Sequence, residues 1–258
     1  MEQVSERLFA AARIRPGEAV LDVGCGTGPT TREAARAVGS SGRVTGLDIS
    51  SEMLAAAAAH SAEPDAGGIE WMAADPVTWS EAPEAAYDLV ISRFGVMFFS
   101  DPIAAFARLA RAARPGGRLV MAVWSRRDES ELFELPLHVA VQALRGRGVD
   151  PAVPPRDAGP FSLHDGAGLS LLLGRAGWRD VRVEPVDLVL RFAGGVSPDG
   201  AAAAALDFGP TRLVMTGVSE LDSAEVQRAL AHAFAEHLDA EGYVILQCRV
   251  HVVTAQRA

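Results

Sequence analysis

Cysteine is nearly absent: Cys25 and Cys248 are the two in 258 residues. Two thiols build no disulfide framework, which fits a reducing compartment. No cluster of histidine and cysteine has the spacing of a metal site, so no metal is expected. No run is long and apolar enough to span a bilayer. Met1 to Ala12 carries Glu2, Glu6 and Arg7 where a signal peptide needs a continuous apolar core. The expected location is therefore cytoplasmic, with no membrane partner. Basic charge is also short, with 24 Lys and Arg against 33 Asp and Glu and a formal net charge of -9. A field of that sign argues against nucleic acid as a partner, because phosphate neutralisation needs clustered basic side chains.

The chain is rich instead in apolar residues and in one distinctive glycine turn. Hydrophobic residues are 49% of the sequence, enough to bury a full core as a single α/β domain over residues 1–258. The stretch Val20-Leu21-Asp22-Val23-Gly24-Cys25-Gly26-Thr27-Gly28 reads as strand and tight turn, and Pro29 opens a helix. Glycines at alternate positions permit the dihedrals of a turn leaving a strand and let a ligand touch backbone. A dinucleotide fingerprint has its last glycine where this chain has Pro29. Proline suits the first helical position but removes an N–H that a pyrophosphate could use, so the turn fits a nucleoside without a phosphate chain. Cys25 reads as a small turn residue, since no basic partner is near it in sequence.

Strands are expected at 19–23, 43–47, 68–73, 87–92, 118–124, 181–190 and 243–253, the last antiparallel beside the sixth, with helices between them. Asp48 ends the second strand, and Arg114-Pro115-Gly116-Gly117 turns the chain into the fifth. With the glycine turn, these motifs resemble the class I S-adenosylmethionine-dependent methyltransferases. Ser92-Arg93-Phe94-Gly95-Val96-Met97-Phe98-Phe99 is most similar to the ubiquinone/menaquinone-methyltransferase-like small-molecule type.

The resemblance implies a Rossmann-like, seven-stranded, mostly parallel sheet with its last strand antiparallel, plus helical cap insertions. It also implies S-adenosyl-L-methionine as donor, S-adenosyl-L-homocysteine as product and a small-molecule acceptor. Cofactor contacts are implied for Asp22, Gly24, Cys25, Gly26, Gly28, Asp48, Ile49, Met53, Asp75, Pro76, Ser92, Arg93 and Met97. Asp22 would face the methionyl ammonium, Asp48 the ribose hydroxyls, Asp75 the adenine amine, and Met53 would pack on the base. Phe94, Phe98 and Trp124 are expected on the acceptor side. Plainer readings stand beside these: core packing for Met53 and Phe98, and a turn-forming role for Asp75 before Pro76.

The α/β alternation breaks over 125–165 and again over 191–242, where a helix is expected to be capped near Ser223. These insertions are expected to cap the acceptor site beside a cofactor-binding core at 16–124. Methyl transfer from a sulfonium is an in-line displacement that needs alignment and no metal. A hydroxyl acceptor benefits from a general base, and histidine is the side chain best tuned for it. His138, His164 and His237 are the candidates, at most one of them as base. At 100° per residue His237 shares a face with Val226, Leu230 and Phe234 and is expected to point inward. O-methylation in bacterial secondary metabolism leads. N- or C-methylation, a nicotinamide-dinucleotide oxidoreductase, and a cofactor-binding protein without methyl transfer are the alternatives, with a monomer or homodimer in each case.

Overall fold

The computed structural model describes residues 1–60 and 66–258. In chain order its elements begin α1 (Glu2–Ala12), β1 (Ala19–Val23), α2 (Pro29–Val38), β2 (Arg43–Asp48), α3 (Ser51–Ala58), β3 (Gly68–Ala73), β4 (Tyr87–Arg93), α4 (Pro102–Ala112) and β5 (Ala113–Trp124). They continue with α5 (Glu131–Gly146), α6 (Gly166–Arg175), β6 (Trp178–Arg191), α7 (Pro198–Leu206), α8 (Gly209–Val214), α9 (Glu220–Phe234) and β7 (Ile245–Arg257). The chain divides into a larger unit, residues 2–124, 162–186 and 250–258, and a smaller one, residues 125–161 and 187–249 together with Met1.

The strands form one seven-stranded sheet in the order β3-β2-β1-β4-β5-β7-β6. In the larger unit β1 lies at the centre, pairing in parallel with β2 on one side and with β4 on the other. All five of its residues are buried. Leu47, Leu89 and Ile91 on the neighbouring strands are also fully buried. A parallel strand covered on both faces has no polar face to show, which is why these segments read as apolar runs rather than alternating ones. The helices start where capping chemistry allows. Ser50 Oγ accepts the Met53 N–H at 3.2 Å to open α3, and Asp101 Oδ1 accepts the Ala104 N–H at 3.0 Å to open α4.

The last strand is antiparallel, as the motifs imply: β7 runs against β5 with Arg118 opposite Gln256 and Trp124 opposite Val250. It is inserted between β5 and β6 and so has two neighbours. Three strand boundaries differ by three residues or more from the expected ones. Ala113 already pairs with Tyr87, and Arg118 pairs with Leu89, so Arg114–Gly117 is an excursion within β5 and not a turn before it. Gly116, at φ +73°, lets the backbone leave and rejoin the ladder. β6 begins at Trp178, whose indole N–H donates to the Phe106 carbonyl at 3.0 Å. β7 runs on to Arg257, whose guanidinium donates to the Ala113 carbonyl.

The smaller unit has an aromatic core. Phe133 stacks on Phe208 with ring centroids 5.3 Å apart and meets Phe161 edge-on at 5.0 Å. Val226, Leu230 and Phe234 of α9 are buried. The cap of α9 is Ser219, whose side chain accepts the Asp222 N–H, rather than Ser223. The first turn of α9 carries Glu220 and Asp222, and its apolar stripe starts only at Val226, so periodicity hides the true start. Arg127, 3% exposed, pairs with Glu134 at 2.6 Å and donates to the carbonyls of Pro154 and Pro155, fixing the proline-rich loop. Among the described residues no helix is long and apolar enough to cross a membrane.

Candidate active site

Four parallel strands end on one cavity of about 470 Å³ in the larger unit. Its lining comes from the end of β1 (Val23, Gly24), the end of β2 (Leu47, Asp48, Ile49), the segment after β3 (Ala74, Asp75, Pro76) and the segment at and after β4 (Arg93 to Gly95, Phe98 to Ser100). Open parallel sheets place ligands at the carboxyl ends of their strands, where the backbone diverges into loops and leaves a crevice.

The glycines of the turn have different causes. A Cβ on Gly24 would lie 2.5 Å from the Cα of Gly95, and one on Gly95 would lie 2.6 Å from both Gly24 Cα and Val23 O. These two are glycine because the turns after β1 and β4 touch backbone to backbone. Gly28, at φ +78°, would drive a Cβ into the Trp71 ring. Ligand approach alone therefore does not account for the motif. Gly26 differs: at φ +56° it has nothing within 4 Å of the Cβ position, so its pro-side-chain face is open.

The three acidic residues singled out in the sequence are held differently. Asp22 is completely buried, and its Oδ2 accepts the hydroxyls of Thr30 and Thr31 at 2.7 Å each. Among the described residues its Oδ1 has no partner. Burial raises its pKa above the ordinary carboxylate range, opposed by the two threonine bonds and by the charge of Arg93. Asp48 accepts the Gly26 N–H at 2.8 Å and the Ser50 N–H at 2.9 Å, so it pins the glycine turn to the end of β2. Asp75 accepts the Val77 N–H at 2.8 Å, the turn-forming contact, and also lines the cavity. Burial and the charges of Asp22 and Asp48 push the Cys25 thiol up to about 12. A thiol so held stays protonated, which suits a turn residue and not a nucleophile.

Other predicted site residues fall on and behind the cavity wall. Ile49 is 73% exposed and lines it, as does Phe98 at 63%, so Phe98 is not a core residue. Met53 is exposed and absent from the lining. Ser92 is buried, donating to the Val23 carbonyl at 2.7 Å and accepting the Gly95 N–H at 3.3 Å. Buried Met97 accepts the Trp124 N–H on its sulfur at 3.4 Å. Phe94, in the left-handed region at φ +66°, stacks on Trp124 with centroids 4.1 Å apart and planes 8° from parallel. Trp124 itself is buried and does not line the cavity.

None of the three candidate histidines lines the cavity. His138 is exposed on α5 of the smaller unit. His237 lies beyond the end of α9, because Ala235 already closes that helix; extrapolating its period three residues too far aligned His237 with the buried face. Its Nδ1 lies 3.4 Å from Glu131 Oε1, and its side chain is 27% exposed, part-buried and outside the apolar stripe of α9. His164 precedes α6 in the larger unit, and its carbonyl accepts from His251 Nε2 at 2.9 Å. Gly95, Trp71 and Phe99, which lines the cavity and meets Phe106 edge-on with ring centroids 5.5 Å apart, carry structural roles that no assignment above gave them. The glycine after Phe94 was the available signal for a second tight turn, whereas half-exposed Trp71 on edge strand β3 has no pattern that marks it. Among the described residues no group of three or more His, Cys, Asp or Glu could hold a metal ion.

Comparison with known proteins follows the same geography. Residues 20–117 match a family described as "Methyltransferase domain". The chain is 39% identical over 119 residues to nocamycin O-methyltransferase of Saccharothrix syringae, covering 45% of this chain and 41% of that protein. It is 32% identical over 120 residues to the ubiquinone/menaquinone biosynthesis C-methyltransferase of Teredinibacter turnerae, covering 46% and 48%. The matched region thus spans about half or less of the length of these relatives. A crystal structure of an S-adenosylmethionine-dependent methyltransferase from Mesorhizobium loti superposes with a TM-score of 0.51 at 23% identity, covering 98% of this chain and 96% of that one. Residues 20–117 of this chain thus match a methyltransferase domain in sequence, and nearly the whole chain shares the fold of the Mesorhizobium loti structure.

Proposed function

We propose that this chain transfers a methyl group from S-adenosylmethionine to an oxygen of a small organic acceptor, in the manner of secondary-metabolite O-methyltransferases. The observation that carries the reading is the convergence of Asp48, Asp75 and the Gly24 turn on one cavity at the carboxyl edge of the sheet. The residues fit the S-adenosyl group chemically. Asp22 keeps an unpaired buried acceptor for the ammonium, and the face of Gly26 is open for a close approach to backbone. Asp48 would accept the ribose hydroxyls on the lone pairs its two amide contacts leave, and Asp75 would accept the adenine amine beside Ile49 and Pro76. Phe94 and Phe98 would bound the acceptor side. Ser92, Met97 and Trp124 would act through the wall they support.

When bound, the sulfonium supplies an electrophilic methyl group. The protein's part is to hold donor and acceptor in line and to keep water out. His164 and the Glu131-paired His237 are the base candidates, with His138 behind them. Acceptor choice is assigned to residues outside 20–117, the part of the chain that the methyltransferase-domain match leaves uncovered. The Teredinibacter relative favours a second reading, methylation of a ring carbon.

The test is a thermal-shift comparison followed by turnover. S-adenosylhomocysteine should raise the melting temperature and a nicotinamide dinucleotide should not; the reverse supports an oxidoreductase. Incubation with methyl-labelled donor and a panel of phenols, enols, carboxylates and amines should then give a labelled O-methyl product. A labelled C-methyl product supports the second reading. Tight cofactor binding with no labelled product supports a protein that binds the cofactor without transferring methyl.

A further inference from the structure

Phe94 sits in a backbone conformation that suits it badly. Its φ of +66° lies in the left-handed region, where a side chain crowds the following carbonyl oxygen and glycine is the default residue. Gly95 stands next to it, yet has φ −79°, which any residue adopts. The glycine of the pair is needed for the backbone contact with Gly24, and the strained dihedral falls on the phenylalanine. Of the described non-glycine residues with positive φ, Arg13, Ala85, Phe94, Asp180 and Ala193, Phe94 alone is aromatic and alone lines the cavity. Strain of this kind persists only where the surroundings over-determine it, and it gathers at ligand sites. Three contacts hold it here. The Phe94 N–H donates to the Ala122 carbonyl at 2.9 Å, Gly95 abuts Gly24, and the ring stacks on Trp124 at 4.1 Å and 8°. Trp124 is buried and does not line the cavity, so it covers one face of the Phe94 ring from behind and leaves the other face and the edge for the cavity. Asp48, Ile49 and Asp75, the residues fitted to the adenosine, lie across central β1 at the ends of β2 and β3, whereas Phe94 follows β4 on the other side.

We infer that Phe94 is a specificity-determining residue that selects a planar, unsaturated acceptor, an aromatic or enolised ring laid against the face that Trp124 leaves open. The inference rests on the S-adenosyl reading of the cavity and deepens it by naming the acceptor class. A flat π-system gains from an offset stack what a puckered saturated ring on the same skeleton cannot. A platform already fixed by its backbone and by Trp124 has little rotamer freedom left to lose on binding.

The test is calorimetric titration of the full chain and of F94L, F94G and F94Y, each saturated with S-adenosylhomocysteine, with two alcohols on one carbon skeleton: planar 2-naphthol and saturated decahydro-2-naphthol. The unaltered chain should bind 2-naphthol more tightly. F94L keeps apolar bulk and F94G takes the dihedral without strain; each should weaken 2-naphthol roughly 2- to 12-fold more than decahydro-2-naphthol, the range for one aromatic pair. F94Y keeps the ring and should keep the preference. Equal affinity of the unaltered chain for the two alcohols, or binding of neither, overturns the inference. An equal loss of both alcohols in the variants, the mark of lost bulk alone, also overturns it. All four chains should hold the ratio of affinities for S-adenosylmethionine and S-adenosylhomocysteine within about twofold. A loss confined to S-adenosylmethionine in F94L and F94G puts the ring against the sulfonium, and a loss of both compounds makes Phe94 a support of the donor site; either result overturns the inference. If the cofactor reading itself is wrong, the unaltered chain binds neither S-adenosyl compound, a result distinct from all of these.

Discussion

Replacing Gly95 by alanine tests the contact on which the cavity is built. Gly95 has φ −79° and ψ −37°, a conformation alanine adopts freely, so backbone strain plays no part. The added Cβ would stand 2.6 Å from Gly24 Cα and from Val23 O, which is 0.8 Å short of the 3.4 Å at which ordinary contact begins. Neither neighbour yields easily. Gly24 N–H is bonded to the Leu47 carbonyl at 2.8 Å, and the Val23 carbonyl accepts the Ser92 hydroxyl at 2.7 Å. Overpacking of this kind costs about 1–3 kcal/mol, here at the upper end because the obstruction is backbone. Alanine returns about 0.5–1 kcal/mol by restricting the unfolded chain. The net loss is about 2 kcal/mol, or about 4–8 °C in melting temperature at roughly 2–4 °C per kcal/mol. Gly68→Ala is the control. Gly68 is exposed on β3 with nothing within 4 Å of the Cβ position, and the same substitution there should stabilise by about 0.5 kcal/mol. Thermal unfolding followed by circular dichroism reads both. Equal melting temperatures for the two variants would refute the close approach of Gly24 and Gly95.

Asp48→Ala frees the amides of Gly26 and Ser50 and should weaken S-adenosylhomocysteine binding by about 1–3 kcal/mol by calorimetry; unchanged affinity removes Asp48 from the site. Asp22 has a pKa raised in the folded state, so the folded chain binds its proton more tightly than the unfolded chain does. Stability is therefore lost as pH rises from the ordinary carboxylate value through the raised one, and Asp22→Asn should lack that loss. Denaturant titrations of both chains across that window check it, and a pH-independent difference between them contradicts it. His237→Ala breaks a part-exposed pair with Glu131 and should change stability by less than about 1 kcal/mol. Turnover lost at unchanged stability makes His237 the base, and full turnover removes it from the chemistry.

How much of this was legible in the sequence depends on how local each signal is. The run from Val20 to Pro29 announces strand, turn and helix because the signals that mark these elements are local: apolar burial, positive φ at glycine and proline at the first helical position. Asp48 and Asp75 could be placed at strand ends for the same reason. Ser92, Met97 and Trp124 sit in the right segment, but sequence does not say which side of a loop a side chain takes, and all three are buried behind the wall. The placement of His237 on the apolar face of α9 failed because helical period is informative only while the helix lasts.

The sequence by itself determined the alternation of elements and the acidic strand ends, since these follow from short-range patterns of burial and backbone freedom, and the mostly parallel sheet came from the family resemblance its motifs carry. Only the tertiary structure decided why Gly24 and Gly95 must both be glycine, that Asp48 pins the Gly26 amide, that β7 inserts between β5 and β6, and that Arg93 stands as the lone cation of the lining. Each of these is a contact between segments tens of residues apart. Such contacts are set by the packing of strands against one another, which no local pattern encodes.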